Sequence, residues 1–167
     1  IVVFLWGPSN TGKTTILEAC GAALGDYGGT IDANALFGKS NRSGPAPELI
    51  DSFFRRFVFM SEVGDTHVLS ANAIKQATGN DTQKNRLLFS NEMISGSPKF
   101  TPYISTNTVP EVKGSDKALA HRLVVIPFLS ENKPSKVKWE EDVRRNPEIQ
   151  SAVLAWLLEG CRMYLRE

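Results

Sequence analysis

The chain has 167 residues, of which 41% are apolar and 22% charged, and its 19 basic and 18 acidic side chains leave a net charge of +1. That composition suits one globular domain with a sizeable core and excludes a low-complexity or disordered polymer. The near-neutral balance also means that nucleic-acid binding cannot rest on overall charge and has to come from local clusters.

Residues 1–6, IVVFLW, form a continuous apolar, β-rich run, the pattern of a strand buried on both faces. This longest apolar run is far too short to span a membrane, and no cleavable signal segment is visible. The chain opens directly on this strand without an initiator Met, so it is expected to be excised from a longer polypeptide. A helix is predicted over 12–24, with Ile16, Leu17, Cys20, Ala23 and Leu24 on its apolar side and Gly25 ending it. Residues 25–47, rich in Gly, Ser, Asn and Pro, read as a mobile connection, and 48–54 as a short helix.

FVFMSE at 57–62 is the second buried strand, and Ser70 can cap a helix over 71–77 closed by Gly79. RLLF at 86–89 and KFTPYIST at 99–106 flank the turn-rich SNEMISGSP, which predicts a hairpin whose second arm leads into an apolar strand. Residues 123–128 make a further strand. A last helix over 147–165 places Val153, Leu157, Cys161 and Tyr164 or Leu165 on one face. Cys20 and Cys161 share no motif and both fall at apolar helix positions, so both are expected as core thiols in a reducing compartment. Strands alternating with helices predict an α/β nucleotide-binding fold.

The stretch GPSNTGKTT, residues 7–15, fits G-x-x-x-x-G-K-[ST]. Gly7 and Gly12 let the backbone wrap phosphate oxygens, with Pro8, Ser9, Asn10 and Thr11 between them and the following helix N-terminus aimed at the anion. Lys13 can reach the β- and γ-phosphates, the Thr14 hydroxyl can complete a Mg2+ shell, and Thr15 closes the motif. A buried strand before and a helix after give the motif its required context. FVFMSEVGD ends an apolar strand at Glu62, where a carboxylate can activate water and assist the metal. Ser61 stands where a first acid is usual, and Asp65 is a second candidate. YISTN at 103–107 is another apolar strand ending in an amide, and Asn107 either holds water or γ-phosphate or is a turn former before Pro110.

Three classes of P-loop protein compete. A GTPase reads guanine through N-K-x-D, but NKPS at 132–135 has Ser135 in place of the Asp, and DYGG at 26–29 lies too close to the phosphate loop. A small nucleotide kinase suits the length, yet no Arg-rich lid is visible. The third class is an oligomeric motor, and here the order of motifs is specific.

The chain resembles the superfamily 3 helicases, closest to the poxvirus-type and phage and plasmid primase-helicase branch. GPSNTGKTT looks like their Walker A, and FMSE like a Walker B that keeps the second acid. AIKQATGNDTQKNRLLF, 73–89, is similar to their K-x-x-T-G-x-D segment with a following Arg, matched by Lys75, Gly79, Asp81 and Arg86. STNTVP, 105–110, is similar to their sensor and raises Asn107 above a turn former. ALAHRLVVIPF, 118–128, looks like the segment with the arginine finger, with Arg122 the matching residue. AVLAWLLEG, 152–160, resembles their closing helix.

The resemblance implies an AAA+-like three-layer ATPase fold with a mostly parallel sheet and a β-hairpin insertion, spanning 1–167. It further implies ATP and Mg2+ as cofactors, catalysis by Lys13, Glu62, Asn107 and Arg122, and a homo-oligomeric, hexameric ring. Single-stranded DNA would pass through the pore, touched by Lys75, Lys84, Arg86, Ser90, Asn91 or Lys99, with a primase domain or other replication proteins as partners. The hairpin tip at 90–98 departs from a basic grip, since it carries Glu92 and no Lys or Arg. An intracellular place at viral, phage or plasmid replication is implied too. The rival reading is a P-loop ATPase that loads replication proteins without unwinding.

Overall fold

The structure, a computed structural model, describes residues 1–31, 52–61, 71–79, 82–86, 93–108, 117–130 and 144–166. Five parallel strands make the central sheet: β1 (Val2–Trp6), β2 (Gly28–Thr30), β3 (Phe57–Met60), β6 (Thr101–Thr106) and β7 (Leu123–Pro127). Their spatial order is β2-β3-β6-β1-β7, which puts β1 in the interior beside β6. An antiparallel hairpin, β4 (Gln83–Arg86) with β5 (Met93–Gly96), stands apart from the sheet and is inserted ahead of β6.

The apolar runs do what continuous hydrophobic strands should, feeding both faces of one sheet. On one face Val3, Leu5, Phe57 and Phe59 meet Leu17 and Cys20 of α1 (Lys13–Leu24). On the other, Val2, Phe4, Val58, Met60 and Ile104 form a core with Phe53. Ile74 and Ala77 of α2 (Ala71–Thr78) and Leu119 of α3 (Lys117–Ala120) complete that second layer. The long α4 (Pro147–Arg166) lies beside α1, with Val153 and Leu157 packed against the first layer. The predicted three-layer α/β architecture with a hairpin insertion is therefore the fold observed. Helix α1 approaches β2 so closely that a Cβ on Gly28 would sit 2.5 Å from the Gly21 carbonyl oxygen.

Four expectations need correction. Within 25–47, residues 28–30 form the edge strand β2; 32–47 lie outside the described residues. Of the helix expected over 48–54, residues 52–54 form a turn, with Arg55 N–H donating to the Ser52 carbonyl at 3.0 Å, and 48–51 are not described. The hairpin's second arm is Met93–Gly96, inside the stretch read as a loop, while 101–106 belongs to the main sheet. Cross-strand pairing supplies what the turn-forming Ser and Gly lack in propensity. Finally, Cys161 is exposed, and so are Tyr164 and Leu165; only Cys20 is a core thiol. The reason is that α1 covers only the first half of the apolar stripe on α4. The Ser70 cap lies outside the described residues. Among those residues no helix is long and apolar enough to cross a membrane.

Candidate nucleotide-phosphate site

The loop between β1 and α1 emerges at the C-terminal edge of the parallel sheet. Its backbone turns through positive φ at Gly7 (155°), Asn10 (61°) and Gly12 (86°). Gly12 is left-handed and serves as N-cap of α1 with no side chain capping it, and the first turn of α1 carries no acid. Its leading N–H groups are thus available to an anion, with the helix dipole adding to the attraction. Gly7 is demanded twice over. Its φ suits glycine, and a Cβ there would lie 1.9 Å from the Phe128 carbonyl oxygen just beyond β7.

Lys13 is only 6% exposed although it carries a charge. Its ammonium donates to the carbonyl oxygens of Gly7 at 2.7 Å and Pro8 at 2.6 Å, to Thr11 Oγ1 at 3.3 Å and to Asn107 Oδ1 at 3.1 Å. Thr11 in turn donates to the Pro8 carbonyl at 2.9 Å, which stiffens the loop. Burial pushes the Lys13 pKa below the ordinary lysine value. A cation held by neutral oxygen dipoles at the head of α1 suits a multiply charged anion that can take the dipoles' place. The residues present therefore fit a nucleotide triphosphate.

Asn107 joins the loop because β6 is β1's neighbour and both strands end at the same edge. The cation fixes its amide orientation. Oδ1 faces Lys13, and Nδ2 donates to Ser9 Oγ at 3.4 Å. Thr106, which sequence reasoning passed over, shapes this end. Its carbonyl accepts from the Gly7 N–H at 3.3 Å, and its buried hydroxyl donates to the Thr108 carbonyl at 2.6 Å. The run of hydroxyls in STNT was the available signal.

Thr14 and Thr15 occupy the first turn of α1, both half-buried. No group of three His, Cys, Asp or Glu gathers among the described residues. Glu62, Asp65, Ser90 and Asn91 lie outside the described residues. Lys84 and Arg86 stand on β4, in register with Ser95 and Met93. Lys75 on α2 and Lys99 before β6 are exposed.

Arg122 is not brought to this loop. It precedes Leu123, which pairs with Val2, so it lies at the opposite, N-terminal edge of the sheet. Gly7 is five residues farther along β1, about 16 Å at ~3.3 Å per residue, beyond the reach of an Arg side chain. Instead Nη1 of Arg122 donates to Thr78 Oγ1 at 2.7 Å.

Sheet order, inserted hairpin and glycine loop together define a P-loop α/β domain. No protein-family profile matches the chain. Viral relatives do. The chain is 34% identical over 127 residues to "Putative helicase L207/L206" of Acanthamoeba polyphaga mimivirus, covering 75% of this chain and 13% of that protein. It is 27% identical over 175 residues to "Putative helicase 022R" of Frog virus 3, covering 96% and 18% respectively. With "Putative helicase V13" of Sputnik virophage it shares 28% over 181 residues, covering 98% and 23%. The chain thus corresponds to less than a quarter of the length of each of these relatives.

Among solved structures, the C-terminal region of NrS-1 matches with TM-score 0.61 and 15% identity over 93% of this chain and 36% of that one. JCV helicase matches with TM-score 0.51 and 18% identity over 94% and 44%. Sequence and fold point the same way: the chain is similar to helicase-named proteins of giant viruses and a virophage, and it shares its fold with the NrS-1 C-terminal region and JCV helicase, which is consistent with the resemblance to superfamily 3 helicases.

Proposed function

We propose that this chain is the ATP-hydrolysing motor of a DNA helicase, working as a homo-oligomeric, hexameric ring on single-stranded DNA in viral, phage or plasmid genome replication. The observation that carries the reading is the buried Lys13 ammonium shared between the glycine loop and Asn107. It links phosphate-binding loop and sensor strand in one hydrogen-bonded unit. Loop N–H groups and Lys13 bind the β- and γ-phosphates. When bound, Mg2+ would be held by Thr14 with Glu62 and would neutralise phosphate charge. Glu62 takes a proton from the attacking water as general base. Asn107, released by Lys13, orients that water or the γ-phosphate.

Arg122 acts on a neighbour's nucleotide. Its distance from its own loop supports this reading, because a guanidinium at the far edge cannot serve the nucleotide site of its own subunit. Such fingers contribute about 10³–10⁵ in rate in other P-loop enzymes. The hairpin β4–β5, with Lys84 and Arg86 on its first arm, contacts the strand, assisted by Lys75, Lys99 and the tip residues Ser90 and Asn91.

Strand displacement on a forked duplex, with ATP against a non-hydrolysable analogue, tests the motor. Absence of unwinding with ATP, beside intact ATPase activity, would favour a loader that hydrolyses ATP without separating strands. Mixing Lys13→Ala with Arg122→Ala protein under subunit exchange tests the finger. Interfaces with one intact partner of each kind should regain hydrolysis, and either silence despite verified exchange or full activity of Arg122→Ala alone sinks it.

A further inference from the structure

Thr78 is the last residue of α2, and its hydroxyl makes two hydrogen bonds of opposite sense. It donates to the Ile74 carbonyl at 2.7 Å and accepts from Arg122 Nη1 at 2.7 Å. A hydroxyl has one proton, so donation to Ile74 leaves its lone pairs for the guanidinium. The backbone of Arg122 is held as well. Its N–H donates to the Leu119 carbonyl at 2.9 Å, and its carbonyl accepts from Val2 N–H at 2.6 Å. Ile74, Ala77 and Leu119 share one core cluster, so α2 and the α3–β7 corner are packed together beneath this contact. Downstream of Thr78 the chain enters the hairpin at Gln83 within five residues.

We propose that Thr78 is the positioning residue for Arg122, aiming its guanidinium along the N-terminal edge of the sheet and tying that aim to the root of the β4–β5 hairpin. The inference rests on the finger reading above and adds the element that couples it to the hairpin. A hairpin displaced by its strand would pull on α2 through Thr78 and shift Arg122 against the neighbouring nucleotide. ATP turnover and strand engagement then pass through one hydroxyl.

The test uses the full-length protein carrying Thr78→Val, which keeps the β-branched shape without the hydroxyl, and Thr78→Ser, which keeps the hydroxyl. ATP hydrolysis is measured with and without oligo-dT, beside Arg122→Ala and the Thr78→Val/Arg122→Ala double variant. Thr78→Val should lower kcat roughly tenfold, the scale of one hydrogen bond to a charged group, with KM for ATP within about twofold. It should also lose stimulation by oligo-dT. Thr78→Ser should restore both, and the double variant should be no slower than Arg122→Ala alone. Parental kcat and stimulation in Thr78→Val, beside an inactive Arg122→Ala, overturns the proposal while leaving the finger standing. Equal impairment in Val and Ser also overturns it, because the hydroxyl is then not the working group. A fully active Arg122→Ala overturns both.

Discussion

Replacing Asn107 with aspartate changes one amide to a carboxylate where the glycine loop meets the end of β6. Oδ1 already lies 3.1 Å from the Lys13 ammonium, so the substitution makes an ion pair without moving an atom. The gross attraction at that distance is about 5 kcal/mol at an effective dielectric of 20. Asn107 is exposed, so hydration of the new charge cancels most of that. Lys13 already makes a hydrogen bond to Asn107, so only the added charge counts, about 0.5–1 kcal/mol for an exposed pair. For a chain of this size each kcal/mol moves the melting temperature by about 2–4 °C. Without nucleotide, Asn107→Asp should therefore melt about 1–4 °C higher than the parent. Nucleotide binding should move the opposite way. Lys13 has to leave a carboxylate to reach phosphate, and the same carboxylate repels the γ-phosphate, so affinity should drop about 10–100-fold, or ~1.4–2.8 kcal/mol. Thermal melts without ligand and calorimetric ATP titrations read the two effects separately. A variant that melts lower than the parent, or binds ATP within twofold of it, refutes the arrangement of Lys13 and Asn107 described here.

Gly7→Ala should destabilise by about 2–4 kcal/mol, because its Cβ meets the Phe128 backbone and no side chain can yield; a urea midpoint unchanged from the parent would contradict that crowding. Gly160→Ala, where the same added atom meets nothing within 4 Å in the middle of α4, should instead stabilise by up to about 1 kcal/mol in the same titration. An aromatic disulfide reagent should modify the exposed Cys161 in a fast phase and the buried Cys20 only on unfolding, so two fast thiols would show the core to be open. Burial raises the pKa of Cys20 from 9.0, and burial followed by Cys20 raises that of Tyr103 from 10.0, so the fold keeps protons that the unfolded chain sheds. Stability from both groups is lost as pH rises past about 9, while Lys13, lowered from 10.5, works in the opposite sense as pH rises towards that value. Cys20→Ala should therefore decline less steeply than the parent across pH 9–10.5 in urea melts, and an identical slope would discount the thiol.

The parts of this fold legible in sequence are those with a strong local signature. The runs at 1–6 and 57–60 are apolar throughout, as buried parallel strands require; that at 123–127 is apolar too, although β7 is an edge strand with Val124, Val125 and Ile126 exposed. The glycines bracketing the loop, and the helix behind it, follow from a motif whose geometry is set by backbone chemistry. Strand β2 was not legible, since Gly-Gly-Thr has almost no strand propensity and is held by pairing with Phe57, Val58 and Phe59. The arm Met93–Gly96 was hidden among turn formers for the same reason. Cys161 shows the limit of periodicity. A helical stripe says which residues share a face, and only the length of the opposing helix decides how many of them are covered. At the site, Lys13 and Asn107 were both singled out, but their mutual hydrogen bond joins residues 94 apart and needed the β1–β6 pairing to become visible. The bond from Arg122 to Thr78 spans 44 residues, and no local pattern announces it.

Where α1 rests on β2, the two backbone segments touch through Gly21 and Gly28 with no side chain between them. An atom added at Gly28 meets main chain of Gly21, at 2.5 Å from its oxygen and 2.9 Å from its Cα. In an ordinary core contact, a residue that grows can be accommodated by a neighbour that shrinks. Here the neighbour is already the smallest residue there is, so no second-site change at position 21 can rescue a substitution at 28. Relief would have to come from lifting the whole helix, and with it the glycine loop at its head. The constraint that shapes the glycine loop therefore reaches an edge strand at the other side of α1, and Gly28 is held as tightly as if it were in the loop itself.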